Sequence, residues 1–407
     1  MHIKPYAFVP WGATGLPERF QGAPAGSAAP AIPGGKPGAP AGQPTIEDRA
    51  DWQMRPGSGG DIVLASAQDL FVLGPGEPAR LRRVDLPADN ADSRVVDFRY
   101  FGGELVLLQV AGERYRVRRF GLDGAPAGEI ALETGAEVGS YQQLLGSEEA
   151  LFVVGNQAAT ATFLRAPSLF ELSADAAPKL VHRWSDARIQ RLFMDARGRV
   201  FYSKEIDRKY YWTMFEPGTG RERVSEQVDQ TASPFLRLPL GVDDAGNGYG
   251  RAGMKVGRFD ADNELLGAVA MDNLFRHDGK VYRSRLDDTK VIVTVTGASG
   301  AAEDIELPIP AETAERFPFK NWTLIGVGRD GNFLVQGFGP RTPGRLLVRF
   351  APDGAYVAEG MAERQLLLEL GHRTQPPATW LVQPDGTLLV PCSGPDGLTV
   401  FALTPGA

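Results

Sequence analysis

The chain has 407 residues and a formal net charge of −7. This acidic balance argues against a protein that binds phosphate backbones, which would need lysine and arginine gathered on one face, so we expect no nucleic-acid partner. The chain contains 49 Gly and 31 Pro, which favours many turns and short strands. Its single cysteine, Cys392, excludes an intrachain disulfide.

Residues 1–21 contain four aromatic side chains, Tyr6, Phe8, Trp11 and Phe20, of which the first three are the candidate contacts. We predict a docking peptide whose aromatic side chains contact another protein subunit or the chain's own surface. The segment lacks the uninterrupted apolar core of a secretory signal, and the apolar runs of the whole chain are strand-sized. We therefore expect no membrane span and a cytoplasmic protein, or an extracellular or periplasmic one if a signal has been removed.

Residues 22–49 are dominated by Gly, Ala and Pro and predict a flexible linker. The predicted organisation is thus an extended N-terminal arm, made of the peptide 1–21 and this linker, followed by one folded domain over 50–407. We therefore expect that removal of residues 1–44 leaves a stable domain but removes it from its complex.

Two classes of turn alternate along the folded domain. In the first class an acidic residue and a glycine separate two apolar runs, as in FMDARGRVFYS (193–203) and GVGRDGNFLVQ (326–336). In the second class the turn follows an aromatic residue, as in RFGLDGAPAGEI (119–130) and RFAPDGAYVAEG (349–360). Dipeptides such as Asp-Gly supply the positive backbone φ that tight hairpin turns require, so each turn predicts a hairpin.

Two successive hairpins make a unit of four short strands, and units repeat about every 33 to 55 residues, which is typical of a β-propeller blade. We predict an all-β fold, a single propeller of seven or eight four-stranded blades. The last unit ends after three strands, which predicts ring closure by an N-terminal strand, and residues 50–56 are the candidate. A short helix is expected over 311–316, on a loop between blades.

The turn sequences, an acid followed by Gly and Asn and then by an apolar strand, resemble those of the NHL-repeat family and of the gluconolactonase and SMP-30-like propellers. The resemblance covers roughly residues 60–406 and rests on turn chemistry. SMP-30-like enzymes hold a divalent cation in the central channel through Glu, Asn and Asp side chains. The resemblance therefore implies Ca²⁺ or another divalent cation as an alternative cofactor.

Two acidic stretches, DDAGN (243–247) and DADN (260–263), have the composition of a calcium loop. Neither has the full ligand spacing that such a loop requires, so we interpret both as hairpin turns. We assign no catalytic and no metal-ligating residue.

The stretch SKEIDRKYYWTMF (203–215) combines basic and aromatic residues. The alignment of turns places it between the second and third strands of its blade, on one rim of the propeller. Arginine and aromatic side chains on a rim have the composition of an interaction hot spot. The alternatives are packing of Tyr210 and Trp212 between blades, or a sugar-binding platform. The predicted partner contacts here are Arg208, Lys209, Tyr210, Tyr211 and Trp212.

The leading hypothesis is a non-enzymatic scaffold without a cofactor, which binds other protein subunits through a propeller rim and the N-terminal arm. Such a module suits a multi-component assembly, for example a secretion or phage-tail-like apparatus. The alternative is a metal-dependent hydrolase, lactonase or lyase of the SMP-30-like type, with its site in the central channel.

Overall fold

The computed structural model is an eight-bladed β-propeller, in which the described strands form eight antiparallel sheets. The structure describes residues 2–12, 16, 52–66, 69–85, 93–135, 138–156, 167–173, 176–185, 189, 191–225, 233–252, 255–270, 273–287, 290–316, 321–328, 330–338, 346–361, 373–374, 380–394 and 397–404. Of the sequence-based alternatives of seven and eight blades, eight is therefore confirmed.

Within blades 1 to 7 the strands pair in chain order across the sheet, and the last blade also contains β1 (His2–Pro10). Blades 1 to 4 contain β2 (Trp52–Pro56), β3 (Ile62–Ser66), β4 (Leu70–Leu73), β5 (Leu81–Arg83); β6 (Ser93–Phe101), β7 (Glu104–Ala111), β8 (Arg114–Phe120), β9 (Pro126–Leu132); β10 (Ser140–Gly146), β11 (Leu151–Asn156), β12 (Pro167–Ser173), β13 (Ala176–Arg183); and β14 (Leu192–Met194), β15 (Val200–Ile206), β16 (Lys209–Glu216), β17 (Arg221–Val224).

Blades 5 to 7 continue the same order, whereas in blade 8 both β30 and β31 pair with β32. Blades 5 to 8 contain β18 (Pro239–Val242), β19 (Gly248–Ala252), β20 (Lys255–Phe259), β21 (Leu265–Ala270); β22 (Asn273–His277), β23 (Lys280–Asp287), β24 (Lys290–Thr296), β25 (Ala302–Pro308); β26 (Asn321–Val327), β27 (Phe333–Phe338), β28 (Leu346–Phe350), β29 (Tyr356–Met361); and β30 (Arg373–Thr374), β31 (Leu381–Val382), β32 (Leu388–Ser393), β33 (Gly397–Thr404). The helices α1 (Ser233–Leu236) and α2 (Ala311–Arg316) lie between blades, and α2 confirms the helix expected there.

The turns of the propeller divide between its two faces because consecutive strands are antiparallel. Turns between first and second strands and between third and fourth strands lie on one face, which we call the lower face. Turns between second and third strands and the crossings between blades lie on the opposite, upper face. The first strands of blades 1 to 5 and β31 of the last blade line the central channel.

The second class of turn brings neighbouring blades into backbone contact. Gly354 has a φ of +88°, and a Cβ atom there would overlap the carbonyl oxygen of Glu306 in the outer strand of the preceding blade. Gly124 has a φ of +86° and meets the carbonyl oxygen of Asp85 in the same way. Glycine is required at these two positions by both the left-handed backbone and the missing space.

The apolar core lies between the faces of neighbouring blades. Val293 of β24 and Val335 of β27 are fully buried in one cluster that joins blades 6 and 7. Leu64 of β3 and Leu398 of β33 belong to another cluster, which joins blades 8 and 1. Strands buried on both faces explain why the inner strands read as continuous apolar runs in the sequence.

The ring is closed by β1, which pairs antiparallel with β33 from His2↔Thr404 to Pro10↔Gly397. The expectation that residues 50–56 close the ring is wrong, because β2 is the innermost strand of blade 1. β1 also touches blade 1, where the amide of Phe8 donates to the carbonyl of Gly76 at 3.1 Å. Removal of residues 1–44 would therefore take away a strand of the domain. The predicted linker, residues 22–49, lies outside the described residues.

Candidate functional site

The basic and aromatic stretch 203–215 forms the hairpin of β15 and β16, whose turn lies on the upper face. Ile206 pairs with Lys209, so the turn itself consists of Asp207 and Arg208. These two residues have φ values of 50° and 63°, a left-handed conformation that residues with a Cβ atom adopt at a cost of roughly 1–2 kcal/mol each. The structure thus places this stretch where the alignment of turns predicted it.

The predicted contact residues of this hairpin differ in their exposure to solvent. Arg208 and Lys209 are exposed, while Tyr210 and Tyr211 are half-buried. Trp212 is only 1% exposed, because its ring packs 5.8 Å from that of Phe201. Trp212 therefore belongs to the core, and the side chains that a partner can reach are those of residues 208–211.

The three predicted contact residues of the N-terminal arm have intramolecular contacts. The Tyr6 hydroxyl donates to the carbonyl of Gly60 in blade 1. The Trp11 indole donates to the carbonyl of Gly394 at 2.7 Å. The guanidinium of Arg276 lies 4.1 Å from the centre of the Phe8 ring. The docking expected of this peptide occurs on the chain's own first, sixth and last blades.

A second site, which the sequence reasoning missed, lies in the central channel near the lower face. Its centre is the pair of Arg55 on β2 and Asp97 on β6, whose Nη2 and Oδ1 atoms are 2.7 Å apart. The other carboxylate oxygen of Asp97 accepts the amide of Leu144 on β10 at 2.8 Å. This carboxylate is 2% exposed and connects three blades.

Two further arginines reach the same cavity. Arg99 follows Asp97 by two residues on β6, on the same side of the strand, and donates to the carbonyl of Gly146 at 2.6 Å. Arg191 precedes β14, and its guanidinium lies 5.5 Å from the centre of the Phe193 ring. Burial and repulsion by Arg55 lower the pKa of both arginines to about 10, although Asp97 opposes this shift.

The cavity at this site has a volume of about 110 Å³ and is formed by the first strands of blades 1 to 5 and 8. Its polar lining comes from Arg55, Arg99, Arg191 and Gln143, and Leu240 and Leu381 are among its apolar residues. Guanidinium groups in a partly apolar cavity can bind an anion through charge-assisted hydrogen bonds. We call this set of residues the channel arginine site.

The acidic stretches form turns, as predicted. The amide of Asn247 donates to Asp243 at 2.9 Å, and the amide of Glu264 donates to Asp260 at the same distance. Within the described residues no group of three or more His, Cys, Asp or Glu side chains is arranged to hold a metal ion. Within the same residues no helix is long and apolar enough to cross a membrane.

The chain resembles known proteins in its fold. No protein-family model and no curated protein sequence matches the chain. Similar solved structures include a luciferin-regenerating enzyme (14% identity, TM-score 0.38, 58% of this chain and 85% of that one), a gluconolactonase from Xanthomonas campestris (17%, 0.38, 65% and 88%) and the WD40 domain of SCAP from fission yeast (8%, 0.35, 86% and 95%).

Proposed function

We propose that the chain is a non-enzymatic scaffold that binds another protein subunit through the upper face of the propeller, at the tip of the β15–β16 hairpin. The partner contacts are Arg208, Lys209, Tyr210 and Tyr211. Such a role suits a component of a multi-protein assembly. The observation that carries the proposal is the unusual turn at 207–208.

Among the hairpins whose paired strands are joined by only two residues, three that the structure describes have both of these residues in the left-handed region. The turn at 102–103 is Gly-Gly and the turn at 278–279 is Asp-Gly, whereas 207–208 is Asp-Arg. Glycine is the residue that adopts this conformation without strain. A hairpin that carries an exposed arginine there instead retains backbone strain, and such strain is a reason to infer a functional constraint.

The two strands of the hairpin hold the turn at 207–208 in a fixed position. β15 and β16 pair without a break from Val200↔Phe215 to Ile206↔Lys209. Lys204 on β15 forms an ion pair of 3.0 Å with Glu222 on β17, the strand on the far side of β16. Because the strands are held in this way, the backbone of the tip loses little further entropy on contact with a partner.

The test compares proteins that co-purify with the full chain and with two variants. In the first variant Arg208→Gly and Lys209→Ser remove the basic tip. In the matched control Asp278→Gly and Lys280→Ser alter an equivalent turn on the lower face. We expect the control to retain every partner of the native chain and the first variant to lose at least one. A first variant that retains all partners would contradict the proposal.

The metal-dependent lactonase or lyase alternative would place Ca²⁺ or another divalent cation in the central channel. The described channel residues that converge near the lower face are arginines, which repel a cation, together with one carboxylate that is already paired with Arg55. We therefore prefer the scaffold. Elemental analysis of the purified protein tests this preference, since stoichiometric calcium would favour the enzyme.

A further inference from the structure

We propose that the channel arginine site binds a phosphate group, either as free phosphate or as the phosphomonoester of a small molecule. Arg55, Arg99 and Arg191 would hold the phosphate oxygens. This ligand site lies in the channel near the lower face, away from the hairpin tip on the upper face, and it does not depend on the scaffold proposal.

The net charge at the site favours a dianion as the ligand. Three guanidinium groups and the single carboxylate of Asp97 leave a net charge of +2 beside the cavity, whereas the whole chain has a formal net charge of −7. A monoanionic carboxylate would neutralise only half of this excess. A phosphate carries a charge of about −1.5 to −2 at neutral pH and would neutralise it.

The contacts of Arg191 do not explain why an arginine occupies this position. It makes no hydrogen bond or ion pair with any residue that the structure describes, and its one directional contact is with the Phe193 ring. It lines the cavity together with Arg55 and Arg99. The lowered pKa values of Arg99 and Arg191 show that this arrangement disfavours the charged forms when no anion is present.

The size and chemistry of the cavity favour a small oxyanion. Its volume of about 110 Å³ is well below the roughly 300–1,000 Å³ of sites that enclose drug-sized ligands. The guanidinium plane donates two parallel hydrogen bonds to adjacent oxygens of one phosphate. Leu240, Leu381 and Val382 line other parts of the cavity and reduce the screening of these contacts by water.

The test is titration calorimetry of the full chain with inorganic phosphate, sulfate, acetate and glycerol phosphate. The informative variant is Arg191→Gln, which removes one guanidinium from the cavity. The matched control is Arg94→Gln, which removes the same charge from an exposed position on β6. Melting temperatures of both variants are measured without ligand and with phosphate.

We expect saturable binding of phosphate and sulfate by the native chain and by Arg94→Gln, and binding at least about tenfold weaker by Arg191→Gln. Tighter binding of glycerol phosphate than of phosphate would assign the site to a phosphomonoester, and equal or weaker binding would assign it to free phosphate. Without ligand, Arg191→Gln should melt at the same temperature as the native chain or higher, because it relieves repulsion.

Three results would overturn the proposal. The first is the lack of saturable phosphate or sulfate binding up to about 10 mM. The second is equal phosphate affinity of the Arg191→Gln and Arg94→Gln variants. The third is acetate binding as tight as phosphate binding. A melting temperature lowered by Arg191→Gln, with phosphate affinity unchanged, would assign this arginine a purely structural role.

Discussion

Arg55 and Asp97 join the first two blades at the channel, with 2.7 Å between Nη2 and Oδ1. Because Asp97 also accepts the amide of Leu144, one buried carboxylate fixes the first strands of three consecutive blades. A buried ion pair of this kind contributes more to the position of the strands than to net stability, yet loss of one partner is destabilising because the other charge stays buried.

We expect Asp97→Asn to lower the free energy of unfolding by about 3 kcal/mol, because Arg55 would then lie beside two other arginines without a counter-charge. Urea unfolding measures the change. The control is Asp262→Asn, which breaks an exposed ion pair with Arg223 and should lower the free energy by less than about 1 kcal/mol. Equal effects of the two substitutions would contradict a special role of Asp97.

Ring closure by β1 gives a second prediction. Val9 is 1% exposed and packs in the cluster that joins blades 8 and 1, whereas Lys4 on the same strand is exposed. Val9→Asp should lower the free energy of unfolding by more than about 4 kcal/mol, because it buries an unpaired carboxylate. Lys4→Asp makes a larger change in charge and should have little effect on thermal unfolding. The prediction fails if the two variants unfold at the same temperature.

Sequence signals that lie next to the strands they specify predicted the blades, whereas pairings between distant parts of the chain could not be predicted. The blades could be predicted because each hairpin turn lies next to the strands that it joins, so an acid and a glycine between apolar runs specify both. β1 could not be assigned, since its partner β33 lies at the other end of the chain and since Pro5 and Pro10 weaken its strand signal. Proline is tolerated there because β1 is an outermost strand.

The channel arginine site could not be predicted from the sequence for a related reason. Arg55, Arg99 and Arg191 come from three different blades and lie far apart in the sequence, in or beside the first strand of each blade. A signal was present: all three lie within a few residues of the first-class turn of their blade. Alignment of the first strands on these turns would have brought the three arginines to the same end of the channel.

A third prediction concerns the dependence of the free energy of unfolding on pH. His182 lies between Trp184 and Phe215, with ring centres at 4.6 and 4.3 Å, and burial lowers its pKa below the ordinary 6.5, while Glu222 opposes this shift. The folded state then binds protons less readily than the unfolded state. Stability should be constant above the unfolded pKa and decrease as the pH falls through the folded pKa.

Urea unfolding between about pH 8 and about pH 5 measures this dependence. Replacement of His182 by Phe, which remains neutral, should reduce the loss of stability on the acidic side. Glu222→Gln should lower the pKa of His182 further, since it removes the opposing charge, and NMR titration of the imidazole detects this. An unchanged pH dependence in the His182→Phe variant would refute the assignment.

The strained turn of the β15–β16 hairpin gives the last prediction. Arg208→Gly should remove roughly 1–2 kcal/mol of left-handed strain, and the greater freedom of glycine in the unfolded chain should offset about 0.4–1 kcal/mol of this gain. We therefore expect the free energy of unfolding to rise by about 0.8 kcal/mol, in a variant that binds its protein partner less well. Asp278→Gly, at a φ of 51° on the lower face, should give a smaller gain, because aspartate adopts this region more readily than arginine, and should keep the partner. If Arg208→Gly destabilises the chain, the turn is not strained, and the observation that carries the scaffold proposal is lost.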